Sequence, residues 1–210
     1  MYLPPYFRVD DQDRLYDLIR RHPLGLLVTV GPAGLLANPI PMLLDSDARV
    51  LRGHVARANP VWGEFAECGQ VLAVFQGHDH YVSPSWYETK RDTGKVVPTW
   101  NYAMVQIRGA VRAIEDPVWL RGLVTDLTDV HEAGRSQPWA VDDAPADYIN
   151  AMVKAIVGFE IKIEKLEGKF KISQNRNAAD SEGVAAGLEA QGDPASHDMA
   201  ELMRNFGGKD

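Results

Sequence analysis

The amino-acid sequence predicts a mainly β fold with flanking helices, drawn together as a small closed or partly open barrel. Three observations predict it. Short apolar and β-branched runs are broken by turn residues about every ten residues, the spacing of antiparallel meanders. The stretch GFEIKIEKLEGKFKIS alternates strictly between apolar and polar residues, as a strand or hairpin with one wet face must. Helical stripes fall between these runs, so helices lean on a sheet.

In chain order, Asp10 to Arg21 places Leu15, Leu18 and Ile19 at helical spacing, with Asp10 or Asp11 as N-cap and Pro23 past the end. Strands follow as GLLVTV from Gly25, a Gly-Pro-Ala-Gly turn at 31 to 34, LLANPIPMLLD and ARVLRGHV. Asn59-Pro60 starts a helix of about two turns, because Asn caps well and Pro is favoured at the first helical position. QVLAVFQG is apolar on both faces and is expected to be a central strand. VVPTWNYAMVQIRGAVRAIED reads as one long extended segment in which Gly109 suits a bulge or a close backbone approach. Trp119, Leu120, Leu123, Val124 and Leu127 share a helical stripe. A second helix runs from about Pro145, with Tyr148, Ile149, Met152, Val153 and Ile156 inward and Gly158 past its end. In the final alternating stretch Ile161, Ile163, Phe170 and Ile172 face in, and Lys162, Glu164, Lys169 and Lys171 face out. One domain is expected over 1–188, followed by a weakly ordered or short-helical tail over 189–210; short helical stretches are expected near 181–190 and 196–206.

Composition narrows the function. With 210 residues, 45% hydrophobic and 24% charged, the chain can bury a real core without disulfides or metal staples. The lone Cys68 forms no internal disulfide and cannot supply a four-cysteine zinc site, so redox chemistry must come from a bound cofactor. The net charge of −7 supplies no global field for nucleic acid or anionic lipid, and DNA binding needs a local basic patch. The start MYLPPYFRVDD lacks the regions of a signal peptide and no apolar run is long enough to span a membrane, so a cytoplasmic protein is expected. GxSxG, P-loop, HExxH and strand-linked GxGxxG signatures are missing.

Four constellations remain. GHVARANPVW puts His54, Arg57 and Asn59 where a strand runs into a helix start, a combination able to hold a phosphate, although the same residues also serve as a cap and a solvated strand end. His78 and His80 share a strand face, but two ligands fall short of a metal site and none is expected; Tyr81, Ser83, Ser85, Trp86 and Tyr87 beside them can line a planar ligand or pack as a turn-rich rim. Trp100, Asn101, Tyr102, Gln106 and Arg108 lie along one extended run, where amides can pair with a heterocycle's edge or decorate a sheet. Lys162, Lys165, Lys169, Lys171 and Arg176 are interleaved with Glu160, Glu164 and Glu167, which favours a solvated strand face over a phosphate-backbone site. Asp126, His131 and Glu132 read as a helix's polar face.

Read together, MYLPPYF, HPLGLLVT, ANPIPMLLD, GHVARANPVW, YVSPSWYETK, VPTWNY and GKFKISQNR resemble the PaiB family, FMN-binding proteins described as negative transcriptional regulators. The resemblance covers about residues 1 to 188, with SPSWY and ARANP as its most specific words. It implies a split β-barrel of the pyridoxamine-phosphate-oxidase type, a homodimer, and FMN in a groove shared by two subunits. It implies that His54, Arg57 and Asn59 hold the FMN phosphate, and that Ala37, Asn38, Pro39 and Ile40 pass the isoalloxazine. Ser83 and Trp86 are carried over as further cofactor-binding positions, with Trp100, Asn101 and Gln106 on the strand that contributes across the dimer. His78-Asp79-His80 departs from the family's form, in which a Pro often follows the Gly matching Gly77. Two other readings stand beside this one: a small FMN-dependent oxidoreductase using the same groove, and a haem-binding split barrel with His54 or His80 on the iron.

Overall fold

The computed structural model describes residues 1–32 and 34–207. Its strands are β1 (Arg8–Val9), β2 (Leu24–Gly31), β3 (Gly34–Asp45), β4 (Val50–Ala56), β5 (Gln70–Val82), β6 (Thr99–Ile114), β7 (Ile156–Lys162) and β8 (Lys165–Lys171). Its helices are α1 (Gln12–Arg21), α2 (Thr89–Thr93), α3 (Pro117–Glu132), α4 (Ala146–Lys154), α5 (Ala178–Glu189) and α6 (Pro194–Gly207). Among the described residues the strand order is β1-β8-β6-β5-β2-β3-β4-β7, with β6 pairing additionally with β7. The order therefore returns on itself, as strands do when they close a barrel. No helix among the described residues is long and apolar enough to cross a membrane.

The chain divides into two compact units. The first comprises Met1–Arg21, Gln76–Val105 and the residues from Glu167 onward; the second comprises His22–Phe75 and Gln106–Leu166.

In the second unit β2 and β3 pair from Leu24↔Pro41 to Gly31↔Gly34. The turn expected at 31 to 34 includes Ala33, which lies outside the described residues. β3 pairs with β4, β4 with β7 along its whole length, and β7 with the end of β6 at Val111↔Ile161. Leu27, Met42, Leu51, Phe75, Ile107, Phe159 and Ile161 fill the core. Gly53 lies under the Phe159 ring, where a Cβ would come within 2.5 Å of it. Gly109 makes the expected close approach: a Cβ there would sit 1.7 Å from the Lys162 carbonyl oxygen. A smaller cluster of Leu120, Val141, Ile149 and Val153 joins α3 to α4.

Three expectations change here. The helix after Asn59 is a five-residue 3-10 segment, Pro60–Glu64; Asn59 does cap it, but Val61 alone is buried within it, too little to hold a longer amphipathic helix. α4 buries only Ile149 and Val153, while Tyr148 and Met152 are exposed, and Ile156 has joined β7 by pairing with Ala56. β5 continues past QVLAVFQG to Val82 and so takes in His78-Asp79-His80.

In the first unit α1 buries Leu15, Leu18 and Ile19 as expected, and Tyr16 besides. Gly168 leaves room for Leu15, whose side chain would lie 2.1 Å from a Cβ at that position. The C-terminal segment is not weakly docked. Ser196, Met199, Ala200 and Met203 of α6 are buried, an i, i+3, i+4, i+7 stripe that the abundance of Ala, Gly and acid masks in the sequence. Arg204 binds Glu182 and Glu189 of α5, tying the two helices together. α5 receives Trp86 over Gly183 and Gly187: Cβ atoms there would lie 2.1 Å from the Trp86 carbonyl oxygen and 2.4 Å from its indole.

Candidate functional site

Seven of the expected site residues lie in the second unit. The pleat separates three of them, because consecutive strand residues point to opposite sides: Ile40 is buried and Asn38 half-buried, whereas Pro39 between them is exposed. Asn59, just after β4, joins Asn38 directly, its Nδ2 donating to Asn38 Oδ1 at 3.3 Å while its own Oδ1 accepts from Val61 N at 3.1 Å. The strand end and the neighbouring strand thus meet through two amides.

Arg57 is committed elsewhere. Its Nε donates to the Lys154 carbonyl at 2.9 Å, one terminal nitrogen to the Ile156 carbonyl at 3.1 Å and the other to Glu115 Oε2 at 2.5 Å. Its own carbonyl accepts from the Trp62 indole N–H at 2.9 Å. The guanidinium ties the β4 end to the α4–β7 junction, and all three of its nitrogens are occupied.

His54 is the opposite case. Its Nδ1 is buried without a hydrogen-bond partner among the described residues, and burial pulls the imidazole below its ordinary value of 6.5. A neutral ring offers one donor and one acceptor. A buried polar atom left unpaired costs about 1–3 kcal/mol, so His54 marks a position where a ligand group has something to satisfy. Gln106 is half-buried on the second unit's part of β6. Cys68 offers no reactive thiolate: burial, ahead of the nearby Glu64 charge, pushes its thiol up.

The other four expected residues lie in the first unit. Asn101 is fully buried and forms a reciprocal pair with the Ser173 hydroxyl at 3.0 and 3.1 Å, so its amide holds the core. Ser83 accepts from Ser85 N at 3.2 Å and caps a short 3-10 turn, Pro84–Trp86. Trp86 is the ring seated on α5, and His80 approaches it with centroids 6.4 Å apart. Trp100 alone presents an open face. It lines a groove of about 270 Å³ with Gln76, Asp79, Tyr102 and Met104.

Sequence reasoning missed that groove as a unit. The available signal was the alternation Trp100, Tyr102, Met104 along one strand, opposite the buried Asn101, Ala103 and Val105. The contribution of Gln76 and Asp79 was hidden, because it depends on strand neighbours distant in sequence. Among the described residues no three His, Cys, Asp or Glu side chains gather as a metal site.

The second unit's residues fit a flavin nucleotide in kind. The unpaired imidazole nitrogen of His54 and the amides of Asn38 and Asn59 match the hydroxyl, carbonyl and ring N–H groups of such a ligand. Arg57 spends three of its five N–H donors and pairs its charge with Glu115, which leaves one N–H on each terminal nitrogen for a phosphate.

Residues 1–165 match the family model described as "Putative FMN-binding domain". The chain is 33% identical to the protease synthase and sporulation protein PAI 2 of Bacillus subtilis (strain 168), over 98% of this chain and 97% of that one. It is 38% identical to an uncharacterized protein of Emericella nidulans, over 92% of each. Among solved structures, the FAD and heme binding protein from Mycobacterium smegmatis superposes with a TM-score of 0.61 at 20% identity, covering 86% of this chain and 80% of that one. That likeness supports the split-barrel fold.

Proposed function

This chain belongs to the FMN-binding domain family that its first 165 residues match, and from that premise we propose that it is a homodimeric, FMN-binding negative regulator of transcription of the PaiB type. FMN is the cofactor this membership assigns. The observation that carries the site is the buried, unpartnered Nδ1 of His54. His54, Asn38 and Asn59 would hold the nucleotide by hydrogen bonds, and Ile40 would supply apolar contact on the same side of β3 as Asn38. Pro39 belongs to the opposite face, and Arg57 supports the site by holding the strand end in place. When bound, FMN supplies electron and hydride transfer.

The homodimer has a candidate surface of its own. Leu24 and Pro41, Leu26 and Pro39, and Val30 and Leu35 face each other across β2 and β3 on the outward side. Leu24, Val30 and Leu35 are 64, 57 and 75% exposed. A contiguous apolar strip of this kind is costly to leave in water and is covered on self-association. With a net charge of −7, any contact with DNA rests on local cations rather than on the protein's overall field.

The test is one series on the purified protein. A flavin absorption spectrum with FMN released on denaturation supports the cofactor, and a dimer mass lost in Val30→Arg supports the surface. Binding to the protein's own promoter fragment that weakens with salt supports regulation. Sustained NADH or NADPH oxidation without DNA affinity would replace the regulator by a small flavoenzyme. A colourless protein that refuses added FMN overturns the site.

A further inference from the structure

The outward face of the first unit carries a groove whose other lining residues, Gln76, Asp79, Tyr102 and Met104, are not among the expected cofactor positions. We propose that it binds a small planar aromatic cation, stacked against Trp100 with its cationic edge on Asp79 and Gln76. Trp100 is also an expected cofactor position, so the experiment below includes FMN as a competitor for the groove.

Three features of the groove lead there. Its floor is aromatic and open. Trp100, Tyr102 and Met104 occupy alternate positions of β6, and the Trp100 ring is 54% exposed, with Tyr81 meeting it edge-on at 6.0 Å. An exposed indole face is electron-rich and attracts cations.

Its rim carries a carboxylate. Gln76 Nε2 donates to Asp79 Oδ2 at 2.8 Å, which spends an amide hydrogen on the neighbour and leaves the Gln76 carbonyl and the Asp79 carboxylate to face a ligand. A carboxylate beside an open indole favours a ligand that brings N–H groups and positive charge. The same strand is shaped to place the carboxylate. Gly77 packs towards Leu18 and His78 reaches Asp198 of α6, so two consecutive residues of β5 face the helices. The buried positions accordingly change phase, from Phe75 to Val82. This change of phase puts Asp79 on the groove beside Gln76.

The remaining cations are placed so as not to occupy the seat. Lys171 Nζ donates to Thr99 Oγ1 at 2.6 Å and to the Trp100 carbonyl at 2.5 Å, which pins the backbone under the indole. Lys169 lies 5.5 Å from the Tyr102 ring centroid and 5.6 Å from that of Tyr2, so its ammonium is taken up at the Tyr102 end. The open end is the one formed by Trp100, Asp79 and Gln76. A volume of about 270 Å³ suits a one- or two-ring molecule.

Benzamidine and benzoate share a shape and differ in charge, and their binding to the full chain, with its flavin if it holds one, separates the cases. By calorimetry and ligand-observed NMR at neutral pH, benzamidine is expected to bind about tenfold or more tightly than benzoate. Asp79→Asn should remove most of that preference, and Trp100→Ala should weaken benzamidine about as much; both side chains are exposed, so an unchanged circular-dichroism spectrum can be required of each variant. Equal affinities for the two probes, or benzamidine binding untouched by Asp79→Asn, would overturn the proposal. Displacement of benzamidine by added FMN would also overturn it, by giving the groove to the flavin.

Discussion

The end of β4 in the second unit and the β6 groove in the first are both candidate binding surfaces, and they are made in opposite ways. Around β4 the functional atoms are polar and largely enclosed, and most have protein partners; His54 Nδ1 and Arg52 Nε are buried exceptions. In the groove the ring faces are open, and the polar pair at the rim has used one of its donors internally. The contrast shows that residue type alone does not identify a ligand-holding group. Arg57 and Asn101 are the residues chemistry would choose first for a phosphate and for a flavin edge, yet both are occupied, whereas the less conspicuous His54 and Asp79 are better placed to receive a ligand.

That contrast can be broken at several points. The largest effect is expected where the second unit is tightest: Gly109→Ala pushes a Cβ into the Lys162 carbonyl and should cost at least about 3 kcal/mol in urea unfolding, or prevent folding. Asn101→Ala should cost about 2 kcal/mol by leaving the buried Ser173 hydroxyl unpaired, with FMN affinity unchanged. Loss of FMN in a folded Asn101→Ala protein would return that residue to the cofactor site. Arg57→Ala should lose about 1–2 kcal/mol of stability by releasing the Lys154 and Ile156 carbonyls, with only a small change in the FMN dissociation constant. A clear weakening of FMN there would mean that the guanidinium changes partners when the nucleotide binds.

The smallest effect is on pH dependence. Because burial lowers the His54 pKa, the unfolded chain binds its proton first as pH falls, so this group's contribution to stability is present above about 6.5 and is lost between that value and the lower folded one. His54→Gln should flatten the stability–pH curve in that window, read from urea midpoints at stepped pH. An unchanged slope would mean that the imidazole is not desolvated.

Much of the fold was legible because periodicity reports it. The alternation of Ile161, Ile163, Phe170 and Ile172, the stripe of α1 and the close approach at Gly109 all follow from which residues must avoid water or avoid a Cβ. The site was legible only as a neighbourhood. The words around His54 and Asn59 located the strand end, but the fate of Arg57 depended on carbonyls about a hundred positions away, which no local pattern reveals. The change of phase at Gly77 and His78 was hidden for a related reason. An apolar run followed by a polar one looks like the end of a strand, whereas β5 continues with its phase shifted. The C-terminal helices were under-read because small residues carry little hydrophobic signal, even where their smallness is what lets another group pack against them.

α5 shows what that smallness implies for assembly. Gly183 and Gly187 stand four residues apart, one turn above the other, and each lowers the helix's intrinsic stability by about 1 kcal/mol relative to alanine. Burial of Val184, Ala185 and Leu188 and the Arg204 bridges hold the segment, and the Trp86 ring fills the slot that the two glycines leave. Helix, bridges and ring therefore form and open together, and the backbone amides of α5 should exchange with deuterium at a common rate.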